Sequence, residues 1–160
     1  MSHKFIFVII IFICFKTMPT HANAIVLDDI RKEYPKAMED KSICMKWFEQ
    51  FEKQSSFSDP VLQAYKGGIY MGMAKFAIVA KKVALVNKGK ACIEAAILKD
   101  KNNVEIRFIR YSVQTKLPAA LGYNKNKIED KNFVTANIAS IKNESFRNEI
   151  IKYLKENSTP

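Results

Sequence analysis

Residues 89–123, GKACIEAAILKDKNNVEIRFIRYSVQTKLPAALGY, restrict the possible folds of this chain more than any other stretch. Ala91, Ile93, Ala95, Ala96 and Ile97 form an apolar set at helical spacing, residues 99–103 are polar throughout, and apolar periodicity resumes over residues 104–113. That order reads as helix, tight turn, helix. Small alanines placed where two helices touch, followed by a polar turn in which Asn103 is a capping residue, spell a helical hairpin. No segment of the chain sustains the two-residue alternation of a half-buried strand, so the predicted fold class is all-α. About seven helices are expected, arranged as antiparallel helical hairpins of α-solenoid type in one domain over residues 25–160.

Composition becomes informative once the N-terminus is set apart. Met1 to Lys4 is a short basic start, residues 5–15 are an unbroken apolar run, and residues 16–24 are a polar tail ending in Ala22-Asn23-Ala24. An apolar core of eleven residues is too short to cross a bilayer as a helix, and the small-x-small ending is a processing pattern. Residues 1–24 therefore read as a signal peptide cleaved after Ala24, with the remaining chain in the periplasm or outside the cell. A buried N-terminal helix would leave the polar tail without a purpose. Ile13 precedes Cys14 where lipoprotein signals carry a small residue, so no stable membrane anchor is expected after processing.

The 136 residues that remain suit one domain with a sizeable core. The leader carries Lys4 and Lys16 and no acid, which leaves 24 basic against 16 acidic residues, a balance of +8. It also carries both histidines, His3 and His21. Without His, a Ser-His-Asp or Cys-His site, or a His-containing zinc or haem site, is excluded, and no cofactor is expected. Cys44 and Cys92 stay in a compartment that permits disulfides. Both fall on predicted helices among apolar neighbours, where Cys usually serves as a small hydrophobe, so free thiols are favoured over a bridge.

Along the chain, a first helix begins in residues 25–38, with Asp28 and Asp29 at its positive end and Pro35 expected to end or kink it. Asp40 or Ser42 caps a second, whose Cys44, Trp47, Phe48 and Phe51 make a core-facing stripe. Trp47 as an aromatic binding platform is the alternative to core. Ser58 or Asp59 with Pro60 announces a third helix through Phe76. Its Gly67-Gly68 marks a close crossing by another helix, since neither phosphate-loop pattern is present. Met38, Met45, Met71 and Met73 read as core filler, with a promiscuous groove as the alternative. Residues 77–86 read as a helix end and a partly buried connection, residues 87–99 as the fourth helix and residues 104–114 as the fifth. Pro118 and Gly122 stop the fifth helix, and Leu121 and Tyr123 are the expected anchors of the loop that follows. A sixth helix has Asn124 or Asn126 as cap and Ile128, Phe133, Val134 and Ile138 as its apolar side. Asn143 caps a last one, striped by Phe146, Ile150, Ile151 and Leu154.

Residues 60–113 resemble tetratricopeptide-type helical repeats. Gly67 and Tyr70 fit the small and aromatic positions of a first helix, and Ala96, Asp100, Asn102 and Asn103 the end of a second helix and the turn into a new repeat. Lys101, Gln63 and Tyr111 depart from the Pro, Trp and small residue of that pattern, and Gly67 and Ala96 stand 29 apart, which requires an insertion of about ten residues. Residues 104–133, through VEIRFIRYSVQ, Pro118 and LGYNKNKIEDKNF, resemble an uncharacterised family of exported helical proteins of Gram-negative bacteria. That resemblance implies export and a helical repeat-like fold, and names no substrate.

Stacked helix pairs create concave surfaces that hold peptides or partner proteins, so the leading expectation is a non-enzymatic protein- or peptide-interaction module of the cell envelope. Binding of an anionic lipid or polysaccharide surface is the alternative suggested by the +8 balance, although Lys and Arg lie scattered among acids along almost the whole chain. Nucleic acid is not an expected partner, as no recognition motif is present. A histidine-free enzyme is the third class. The adjacent acid pair of the expected sixth helix, Glu129-Asp130, diverges by about 100° on a helix and does not converge on one reacting atom.

The candidate interaction strip is Arg107, Arg110 and Gln114, which share one stripe of the fifth helix. Ile106, Ile109 and Val113 flank it on one side, and Val104, Phe108 and Tyr111 on the other. Paired guanidinium groups are suited to grip a carboxylate or other anion. The competing reading has Arg107 and Arg110 paired with Glu94, Glu129 or Asp130 inside the fold.

Overall fold

The structure is a computed structural model that describes residues 25–157; the expected leader, residues 1–24, and its expected cleavage after Ala24 lie outside these residues. It is all-helical. Helix α1 spans Leu27–Ala37, α2 Lys41–Glu52, α3 Pro60–Phe76, α4 Val79–Lys99, α5 Val104–Lys116, α6 Lys127–Asn137 and α7 Glu144–Glu156, with 3-10 turns at Ala119–Leu121 and Ile138–Ser140. No strand occurs among the described residues.

Local chemistry sets most of the helix starts. The Asp40 carboxylate accepts from the backbone N–H groups of Ser42 and Ile43, Asp59 from Val61 just after Pro60, Asn103 from Glu105 and Ile106, and Asn143 from Phe146. Each such cap supplies an acceptor to N–H groups that the helix itself cannot satisfy, and contributes about 1 kcal/mol.

The helix that organises the packing is α3, whose residues 64–74 are buried without interruption. A helix buried all round must be covered on every side, and α1, α2, α4 and α5 do so. Its glycines let the neighbours in. A methyl group on Gly67 would lie 2.7 Å from the carbonyl oxygen of Gly89, so α3 and α4 touch backbone to backbone, joined as an antiparallel hairpin by Ala77 and Ile78. The crossing expected at Gly67-Gly68 is thus made by α4 on one side, while Gly68 faces the ring of Tyr34 in α1.

Two apolar clusters result. Ile30, Trp47, Phe51, Tyr65, Ile69 and Ile93 gather around α3, while Val134, Phe146, Ile150 and Leu154 gather between α6 and α7. Helix α5 belongs to both, sending Ile106, Ile109 and Val113 into the first and Val104, Phe108 and Tyr111 into the second. These are the two faces read from its helical periodicity. Met71 and Met73 are buried in the first cluster, and Met38 and Met45 pack against it.

Several expectations are corrected. Residues 77–86 are not a partly buried connection: α4 starts at Val79, and residues 79–84 are exposed. The cause is continuity, because no Gly or Pro interrupts the run and Val79, Val83 and Val86 keep helical spacing. Helix α4 packs mainly on α3 rather than on α5, and Ala91 is exposed where a helix contact was expected. Pro35 neither ends nor excludes helix, since α1 continues to Ala37. Of the expected apolar side of α6, Val134 is buried and Phe133 and Ile138 pack against the second cluster, but Ile128 is 75% exposed and Asp130 joins the inward side. Asn126 occupies the N-cap position of α6 without capping it; its amide donates to Glu129 Oε2 at 3.2 Å. Leu121 is exposed, so of the two loop anchors only Tyr123 holds.

Candidate functional site

The strip on α5 is an ion-pair network. Arg110 is buried and donates from Nε to Asp130 Oδ2 at 2.6 Å, from Nη2 to Asp130 Oδ1 at 2.9 Å and from Nη1 to Glu94 Oε2 at 3.0 Å. Arg107 donates from Nη1 to both Asp130 Oδ1 and Glu129 Oε1 at 2.8 Å, and from Nε to the Lys101 carbonyl at 2.8 Å. Its guanidinium lies over the Phe133 ring, 5.0 Å from the centroid. The carboxylates that meet these two arginines are Glu94, Glu129 and Asp130, the three set against them in sequence. Gln114, one turn on, is buried with neither amide atom partnered among the described residues.

Burial works against the charge on Arg110, but the bonds and charge of Asp130 outweigh it and hold the guanidinium more firmly protonated than usual. Glu129, exposed at the rim, is held below the usual carboxylate range by the Arg107 hydrogen bond. Tyr123 donates to Glu94 Oε1 at 2.6 Å, and burial followed by that carboxylate pushes its phenol upward. The network therefore ties α4, α5, α6 and the loop before α6 together, and its positive charges are balanced within the fold.

A second ionic cluster, not foreseen from sequence, centres on Glu105. This buried carboxylate accepts from Arg31 Nε at 2.8 Å, from Arg31 Nη2 at 2.7 Å and from the Tyr65 hydroxyl at 2.8 Å, joining α1, α3 and α5. The only local signal was an acid set between Val104 and Ile106 in an apolar run. A polar cavity of about 530 Å³ opens beside Arg31 and Glu105, but Asn103 and Asn143 on its wall are engaged as helix caps.

The remaining candidates are placed plainly. Trp47 is 3% exposed and donates from Nε1 to Glu33 Oε2 at 2.8 Å, so it is core rather than platform. Cys44 and Cys92 are free; Cys44 is buried, and burial pushes its thiol up to about 11. Burial also raises Cys92.

An apolar feature lies between α1 and α7. It is a groove of about 320 Å³, floored by Phe108 and walled by Pro35, Phe146 and Tyr153. The Phe108 and Tyr153 rings meet edge to face with centroids 5.5 Å apart, which fixes the floor. Its rim carries Arg31, Lys32, Lys36 and Lys152 against Glu149 and Glu156. Sequence reasoning missed it because its walls come from opposite ends of the chain.

Compared with protein-family models, curated proteins and solved structures, the chain matches none.

Proposed function

We propose that this chain is an exported, non-enzymatic interaction protein that holds a peptide segment of a cell-envelope partner in the groove between α1 and α7. The observation that carries the reading is the groove itself: an apolar cleft over Phe108, Phe146 and Tyr153 whose rim holds Lys32 and Lys36 without ion-pair partners among the described residues, beside Lys152 on Glu156 and Arg31 on Glu105. An apolar side chain flanked by acidic residues suits it, the side chain against Phe108 and the acids toward Lys32, Lys36 and Lys152. The α5 strip supports a structural rather than a binding role for Arg107 and Arg110, because their donors are already committed to carboxylates. Export enters this proposal from the leader pattern of residues 1–24 and the sequence resemblance, and tetratricopeptide-like character from the resemblance alone.

The test is site-specific photo-crosslinking in the native cell envelope. A photoreactive residue at Lys36 or Lys152 is expected to capture one reproducible protein, while the same residue at Lys53, exposed on α2's far end, captures none. Equal capture from all three positions would remove the groove from the proposal. Turnover of a substrate by the purified chain would replace it with the enzymatic alternative.

A further inference from the structure

Between Pro60 and Ile93 the chain contains no Asp or Glu, yet it carries Lys66, Lys75, Lys81, Lys82, Lys88 and Lys90. This span is the α3–α4 hairpin, and it departs from the mixed charge of the rest of the molecule. Lys66 is buried on the Gln54 carbonyl, and Lys75 pairs with Glu39. Lys81 and Lys82, at the tip, are exposed and enter no ion pair among the described residues.

The same tip exposes apolar side chains. Ile78 is 68%, Val79 80% and Val83 61% exposed. Single exposed aliphatics are ordinary on a protein surface, but three within six residues, at a turn, form a concentrated apolar tip. Leu85 already packs against the first cluster and Val86 is buried, so residues 79–84, somewhat over one and a half turns of helix, carry no cover. Val79 and Val83, four apart, share one face. Lys82 borders that face and Lys81 lies on the far side, from which a long side chain extends toward charge, while Lys88 is placed over the Tyr70 ring of α3.

We infer that the α3–α4 tip docks on the surface of an anionic phospholipid bilayer, with Ile78, Val79 and Val83 entering the interfacial region and Lys81 and Lys82 meeting the headgroups. Charge complementarity selects this occupant, and the apolar residues select among anionic occupants. A charged polysaccharide satisfies the lysines but offers no apolar phase. A second copy of the tip brings like charges together. A bilayer supplies both, and basic amphipathic helices lie in its interface for that reason. Docking is superficial, since no helix among the described residues is long and apolar enough to cross a membrane. The inference is independent of the groove between α1 and α7.

Sedimentation of the chain with vesicles of phosphatidylcholine, with and without phosphatidylglycerol, tests it. Binding is expected only with phosphatidylglycerol, and it weakens as salt is raised. Lys81→Gln with Lys82→Gln lowers the partition coefficient more than about tenfold, and Val79→Gln with Val83→Gln abolishes binding. Circular dichroism and melting temperature stay unchanged for both, as all four positions are exposed. Ile128→Gln, an exposed aliphatic on α6, binds like the parent. Failure to bind either vesicle, equal binding to both, or binding unaltered in the valine variant overturns the inference. So does retention on dextran sulfate that survives the valine substitutions while vesicle binding is absent.

Discussion

Arg110 grips Asp130 through two nitrogens at once, Nε and Nη2 reaching different oxygens of a carboxylate that is fully buried. Removing the cations strands that charge, so Arg107→Gln with Arg110→Gln is expected to destabilise the fold by about 3–5 kcal/mol. Denaturant unfolding measures it. A melting temperature unchanged within error, together with lost binding of an anion or partner, would return the strip to function.

Acid should weaken the fold from a defined point. Hydrogen bonds from Lys46, Lys75 and Arg107 hold Glu33, Glu39 and Glu129 below their ordinary value of 4.5. A depressed folded pKa contributes stability that is complete above the unfolded value and is lost as pH falls through the folded one. Denaturation midpoints should thus hold steady from neutrality to near 4.5 and decline below it. The carboxylates are exposed, so the decline is gentle. Midpoints that rise on acidification below 4.5 contradict the assignment.

The contact between Gly67 and Gly89 has no room for a side chain. Gly67→Ala places a methyl 2.6 Å from Ile93 Cγ1 and 2.7 Å from the Gly89 oxygen, and a backbone atom cannot turn aside. Overpacking costs about 1–3 kcal/mol, exceeding the gain of up to about 1 kcal/mol from helix propensity. The expected result is net destabilisation, while Asn87→Ala, at an exposed position of the facing helix α4, stays within about 0.5 kcal/mol of the parent or gains slightly. A more stable Gly67→Ala variant would show that the helices separate easily.

Thiol chemistry offers a third check on the core. With its thiol buried and raised to about 11, Cys44 should resist alkylation at neutral pH until the chain unfolds. Unfolded and unreduced, the chain beginning at Ile25 should titrate two free thiols. A titre of zero indicates a bridge.

Intact mass of material recovered from periplasm or medium should correspond to a chain starting at Ile25. Retention of Met1 in that fraction contradicts the leader reading.

Much of the helical frame was legible because its determinants are local. Asp40, Asp59, Asn103 and Asn143 each act on N–H groups two or three residues away, and the faces of α5 follow from angle alone. The errors fall where burial depends on which neighbour arrives. Val79 and Ile128 carry the same apolar signal as core residues, and only the missing neighbour leaves them outside. Asp130 carries the opposite signal and is inside, since its charge is met by arginines 20 and 23 residues back. Those partners could be named as candidates from the sequence. The groove between α1 and α7, by contrast, had no signature in either helix, because each contributes only half of its lining.

The bond between Arg31 and Glu105 joins positions 74 residues apart. In order of synthesis, α1 is the first of the described helices to be completed, and this bond waits until α5 is made. Until then α1 is held only by its nearer neighbours, through Glu33 to Lys46 and Trp47 of α2 and through the Tyr34 ring against Tyr65 of α3. The carboxylate that fastens α1 to the second half of the molecule is therefore made only well past the midpoint of the chain.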